Sequence, residues 1–150
     1  MRANITLPPK QLGMAVASVA LGGGVGTLLR ALALRIQDAH WFESLLGTLP
    51  HNGHVSWWGH VPWILELINV AGVYLATRIL VGPLRNHDPN DLTRLLVITG
   101  FLGGFTSYSS LFVSLAEIWH QSVPASLSVG ILAVLSGVGA GWLGIRHGHR

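Results

Sequence analysis

Cysteine is absent from the 150 residues. Neither a disulfide nor a thiolate metal centre is therefore available, and the redox compartment is left open. Charge is scarce as well: Asp, Glu, Lys and Arg together make up 10%, against about 25% in an ordinary soluble domain. No phosphate-binding loop, nucleophile triad or dinucleotide fingerprint occurs, and nothing pairs the numerous Ser and His residues, so an enzyme is not expected. What remains is apolar: hydrophobic residues make up 50% and the mean hydropathy is +0.52. The net charge of +3 and pI near 10.2 come from scattered basic residues that flank apolar runs. That pattern fits orientation in a membrane better than binding of nucleic acid.

A membrane-crossing helix needs roughly 20 apolar residues. Residues 12–29 carry no charge, and the apolar run passes Arg30 to end near Leu34. Residues 61–82 are apolar except for Glu66 and Arg78, and residues 95–116 and 123–145 are uncharged. The spacing predicts spans at about 12–34, 61–82, 95–118 and 123–145 in one membrane domain covering 1–150, with no room for a soluble one. The first run begins late and carries patterned glycines, unlike a cleaved signal peptide. Ser18, Gly22 and Gly26 recur every four residues, as do Gly137 and Gly141, a spacing that lets helix backbones approach in lipid. Gly82-Pro83 closes the second helix and Asp91 is placed to cap the third. The 36–60 connection is rich in His and Trp and suits the bilayer interface. Its His51-Asn52-Gly53-His54 cluster, like His147-Gly148-His149, lacks partners that would fix a metal geometry.

Four spans put both termini and the middle loop on one side. That side receives Arg2, Lys10, Arg78, Arg85, Arg94, Arg146 and Arg150, seven of the nine basic residues; Arg30 and Arg35 fall on the other. By the positive-inside rule both termini are cytoplasmic in a multi-pass protein of the inner (plasma) membrane.

The third run is interrupted by Gly100-Phe101-Leu102-Gly103-Gly104-Phe105-Thr106-Ser107-Tyr108-Ser109-Ser110. Irregular backbone at membrane depth survives only where it is buried in protein or lines a cavity, and discontinuous helices expose groups that hold ions. Ser107, Ser110, Ser114 and Glu117 follow at steps of three, four and three, which puts them on one helical face. Their hydroxyls either donate to a small anion or bond their own helix. Asn69 lies inside the second run; its amide either serves an anion or makes an interhelical hydrogen bond. Glu66, three residues earlier, is an intramembrane carboxylate or an interfacial one. Arg30 either snorkels to headgroups or caps carbonyls of a neighbouring helix, or else draws anions to a pore mouth.

Together these segments resemble the Fluc (CrcB) fluoride channel family. Gly22-Gly23-x-x-Gly26-x-x-x-Arg30 is similar to its glycine-arginine signature, Asn69-x-x-Gly72 to its pore asparagine motif, and the 100–110 segment to its GFxGGxTTFST break. The resemblance implies an all-α, integral membrane four-helix bundle with a broken third transmembrane helix, assembled as an antiparallel dimer. It implies passive, fluoride-specific export that confers fluoride resistance. It implies a structural sodium ion on the backbone carbonyls of Gly103 and Thr106, and a fluoride path along Asn69, Tyr108, Ser109, Ser110 and Ser114. The family's two phenylalanines are replaced here by Tyr108 and Leu111, its glutamate by Ser114, and its threonine before the asparagine by Leu65. Ser136 is the nearest match to its serine on the fourth helix. The scaffold and sodium site look intact and one ion path looks altered. This leaves as alternatives a non-conducting or one-pore partner in a heterodimer, and a small proton-coupled exporter switched by Glu66. The seven-to-two charge bias fixes one orientation, so an antiparallel pair calls for an oppositely oriented paralogue, with a homodimer as the other possibility.

Overall fold

The computed structural model describes residues 8–37, 61–86 and 91–149. The His51–His54 cluster, most of the His/Trp-rich connection, Arg2 and Arg150 lie outside them. The described elements are all helical. They run α1 (Pro9–Gln37), α2 (Trp63–Val81), α3 (Leu92–Arg94), a π-helical stretch (Leu95–Leu102), α4 (Gly103–Phe105), α5 (Tyr108–Gln121) and α6 (Val123–Gly148). Residues Leu92–Gln121 form the third of four helical spans long and apolar enough to cross a membrane.

Helix ends follow local chemistry. The Gly82 N–H donates to Arg78 O at 2.9 Å and closes α2. Asp91 Oδ1 accepts from the Thr93 N–H at 2.8 Å and opens α3. Ser122 sits between α5 and α6, and its hydroxyl oxygen accepts from the Ala125 N–H while Pro124 occupies the first turn of α6, where its missing N–H costs nothing.

Packing is organised in two pairs: α1 lies along the first half of the third span, and α2 lies along α6. Glycine makes both possible. A Cβ at Gly26 would strike Phe101 O, and one at Gly22 would strike Leu96 O. Backbone therefore meets backbone where α1 crosses the third span, the close approach that small residues permit in lipid. Gly144 gives α6 the same access to Thr77 of α2.

The interior is small. Val61, Ile118 and Ala125 form one buried cluster with Trp63 and Val129 around it. Leu65, Leu111 and Ala133 form another, flanked by Leu34 and Leu115. Outside, large apolar side chains stand exposed on every span, among them Leu21, Leu67, Phe112, Leu132 and Val138. Helices apolar all round belong in a membrane or a larger assembly. The chain is thus a four-helix membrane bundle.

Candidate ion-binding site at the broken helix

The third span breaks at two residues. Thr106 (φ −83°, ψ 151°) and Ser107 (φ −155°, ψ 101°) are extended between α4 and α5. Just before them the helix is already unwound: the Gly103 N–H reaches back to Ile98 O, the wider turn of a π-helix, a form often found at functional sites.

Four neighbours hold the break. Asn69, 1% exposed, clamps Ser107 from both sides: its Oδ1 accepts the Ser107 N–H at 2.8 Å, and its Nδ2 donates to Ser107 O at 3.3 Å. Arg30 Nη1 donates to Thr106 O at 3.1 Å. The Thr27 hydroxyl donates to Gly104 O at 3.4 Å. Thr106 turns its own hydroxyl back to Leu102 O at 2.9 Å, and its methyl fills the place a Cβ would take at Gly72. The Asn69-x-x-Gly72 spacing thus has a geometric reason: one residue grips the break and the other, a turn later, makes room for it.

The clamp redirects one donor. In a continuous helix the Ser107 N–H would serve Gly103 O; here it serves Asn69. Gly103 O is left to look for another partner, and a carbonyl oxygen is a hard donor suited to a hard cation. Gly103 itself is exposed on the surface of the chain. Thr106 O differs, because a guanidinium already holds one of its two lone-pair positions. Among the described residues no three His, Asp or Glu side chains gather at a metal-binding distance.

Hydroxyls crowd the start of α5. Ser107 Oγ lies 2.9 Å from Ser110 Oγ and 3.1 Å from Ser109 Oγ, and accepts from the Ser110 N–H as the helix cap. Ser114 donates to Ser110 O at 3.4 Å. Ser107, Ser109, Ser110 and Ser114 are therefore together, and Asn69 joins them through Ser107. Glu117 is exposed and takes no part in the cluster. Tyr108 is 44% exposed, and its hydroxyl lies beside Gly137 of α6. Leu111, one turn later, is buried in the cluster with Leu65 and Ala133. Leu65 and Leu111 thus pack in one apolar cluster.

Two placements decide between roles that the sequence left open. Arg30 is not at a helix end: α1 continues to Gln37, so Arg30 lies about 10 Å inside it along the axis. Its partner is a carbonyl of the third span, which is the neighbouring-helix capping expected as one of its roles. Glu66 is not interfacial in its contacts, since its Oε1 meets Ser136 Oγ, midway along α6. A lone Glu in a hydrophobic run was the available signal; the identity of its partner was not.

These features can be set beside known proteins. The sequence profile described as CrcB-like protein, Camphor Resistance (CrcB), matches residues 17–145. The Fluoride-specific ion channel FluC 1 of Natronomonas pharaonis is 34% identical over 125 residues, 81% of this chain and 88% of that one. Erythrobacter litoralis has a Fluoride-specific ion channel FluC that is 32% identical over 143 residues, 89% of this chain and 93% of its own. The FluC 1 of Brucella melitensis is 31% identical over 135 residues, 87% of this chain and 96% of its own. The broken third span, the asparagine that clamps it and the glycines that seat it all lie inside the matched region, and the chain belongs to the CrcB family.

Proposed function

We propose that this chain is a subunit of a fluoride-specific channel that lets cytoplasmic fluoride leave the cell passively. The observation that carries the reading is the clamped break, in a chain whose relatives bear the name fluoride-specific ion channel. Asn69 spends one of its two amide N–H bonds on Ser107; the second is available to an anion. The hydroxyls of Ser109 and Ser110 add donors at the start of α5, Ser114 joins them when it turns from Ser110 O to the anion, and Tyr108 adds a phenol at its exposed edge. No nucleotide and no chemical step is needed, because the anion moves down its own gradient.

The protein works as an antiparallel dimer in the inner membrane, with the termini of this chain cytoplasmic. The Gly103 and Thr106 carbonyls of the two subunits face a structural sodium ion. Hard backbone oxygens suit that ion, and the donor that Gly103 O loses to Asn69 supports its part. Arg30 positions Thr106 and adds positive potential beside the path. The basic residues favour one orientation, and the FluC 1 and FluC 2 names of the Brucella proteins indicate that relatives occur in numbered pairs. The partner is accordingly an oppositely oriented paralogue.

One observation favours a narrower second reading, a subunit that completes a single working path. Leu65 and Leu111, which by resemblance stand where the family has a threonine and a phenylalanine, pack with Ala133 in an apolar cluster, and an apolar lining gives no donor to an anion. Fluoride efflux from vesicles separates the readings. Chain purified alone and chain purified with its membrane partner are reconstituted in parallel. Efflux from both supports a self-sufficient channel, and efflux from the second alone supports the paired subunit. Retention of fluoride by both rejects the proposal.

A further inference from the structure

The C-terminal ends of α2 and α6 lie together. A Cβ at Gly141 would meet Val73, one at Gly144 would meet Thr77, and one at Gly148 would meet Arg78 O. Contacts that advance together along both helices mean that the two run parallel. Beside their seam lies a groove of about 420 Å³. Leu67, Ala71 and Tyr74 line it from α2, and Ser136, Ala140 and Leu143 from α6. Both sets follow steps of four and three, the spacing of one helical face. From Leu67 to Tyr74 the helix rises about 10 Å, about two-thirds of the roughly 15 Å of hydrocarbon in one leaflet. The exposed side chains of Leu67 and Leu143 stand as walls, and buried Ala140 forms part of the floor. Gly139 keeps the floor open, because a Cβ there would meet nothing within 4 Å.

The groove is apolar along its length and basic at one end. One more step along each line gives Arg78 and His147, both exposed, with exposed Arg146 beside them. The Tyr74 hydroxyl and His147 Nδ1 lie 3.1 Å apart and tie the two helices together there. With the hydroxyl as donor, the neutral imidazole keeps its proton on Nε2, a donor for a phosphate oxygen. The Arg146 guanidinium lies over the Trp142 ring, 5.3 Å from its centre. Stacking by its face leaves its N–H edges for oxygens. Trp and Tyr beside Arg is the composition of a belt at headgroup level. Part of the basic charge offsets the helix dipoles: two C-termini amount to about one negative charge. Arg78 and Arg146 outweigh that, so positive charge remains for an anion. Glu66, the one acidic residue of α2 and α6, lies toward the other end of the groove. An amphiphile with a negative head matches both parts.

We propose that the groove between α2 and α6 holds one acyl chain of an anionic phospholipid, with the phosphate of its headgroup on Arg78, Arg146 and His147. A second subunit laid over this seam would have to bury both arginines, and buried cations are costly unless paired. A lipid phosphate supplies the pair, and basic pockets between spanning helices are established places for anionic headgroups. The assignment holds in either orientation of the chain and does not rest on fluoride conduction.

The test uses the full chain, with any membrane partner that co-purifies, in phosphatidylcholine vesicles. A small share of the lipid is phosphatidylglycerol with a photoreactive diazirine in one acyl chain, and labelled peptides are mapped by mass spectrometry after illumination. Label should concentrate on residues 67–74 and 136–143. The same diazirine carried on phosphatidylcholine should label them about tenfold less or weaker still, since each surface cation contributes about a fivefold preference for anionic lipid. Arg78→Gln combined with Arg146→Gln should remove that difference between the two probes. Gly139→Leu fills the groove without striking packed atoms. It should clear the label from both segments while the chain still elutes as a monodisperse peak. Equal labelling by the two probes, or a preference that survives in the arginine pair, overturns the headgroup site. Label that persists in Gly139→Leu, or that spreads evenly over the exposed faces of all four spans, overturns the groove. A groove that stays unlabelled while Gly139→Cys cross-links to a second subunit also overturns the proposal and makes the seam a subunit interface.

Discussion

Asn69 and Ser107 show how one amide can be both scaffold and ligand. Two hydrogen bonds fix the asparagine to the backbone of the break, so removing it leaves a buried N–H and C=O unpaired, at about 1–3 kcal/mol for each group. Asn69→Leu should therefore lower thermal stability in detergent and abolish fluoride efflux together. Asn69→Asp keeps the acceptor for the Ser107 N–H but replaces the anion's donor with a charge. It should lose efflux while holding more of the wild-type stability than Asn69→Leu. Equal efflux in Asn69→Asp and wild type would reduce Asn69 to a structural clamp. The sequence showed that Asn69 mattered because an amide in an apolar run needs a partner. It did not show that both amide atoms would go to Ser107, since that depends on how α2 and the third span lie together. Arg30 was legible in part: capping a neighbouring helix's carbonyl was one of its expected roles, but which carbonyl depends on how α1 and the third span lie together.

At the scale of elements, the broken third span is held more by what is missing than by what is present. Gly22 and Gly26 let α1 lie on the backbone of the third span, and Gly72 admits the Thr106 methyl. Filling these places forces backbone apart, and overpacking typically costs about 1–3 kcal/mol or more. Gly26→Leu should prevent accumulation of folded protein, read as loss of a monodisperse peak in size-exclusion chromatography. Gly72→Ala is milder. It should leave the chain folded but push Thr106 and lower efflux; normal efflux would mean that Thr106 has room the structure does not show. The break itself was legible in the sequence, because a Gly-Gly step followed by a run of Thr and Ser weakens a helix and offers side chains that bond the backbone in its place. The π-helical stretch of Leu95–Leu102 was not. Its residues carry no local pattern that marks an i→i+5 turn, and it lies along α1.

For the whole molecule, the exposed apolar exterior and the small interior clusters describe a chain built for lipid. Orientation follows from charge. With Arg30 bound to Thr106 O inside the span, Arg35 is left as the one basic residue near the far side against seven on the other, and the bias is stronger than the sequence count suggested. Reporters fused to the C-terminus should give signal from the cytoplasmic side only. Equal signal from both sides would show dual insertion and remove the need for an oppositely oriented paralogue. Four spans and their order could be read directly from hydropathy, because bilayer thickness sets helix length; pairing of α1 with the third span and α2 with α6 could not, because small-residue faces permit several partners. The central claim is that this bundle passes fluoride. Vesicles loaded with fluoride and chloride, carrying the chain with any partner that co-purifies, can be opened to an ionophore that balances charge and followed with ion-selective electrodes. The account predicts rapid release of fluoride with chloride retained. Fluoride held as tightly as in protein-free vesicles, or chloride released alongside it, would contradict it.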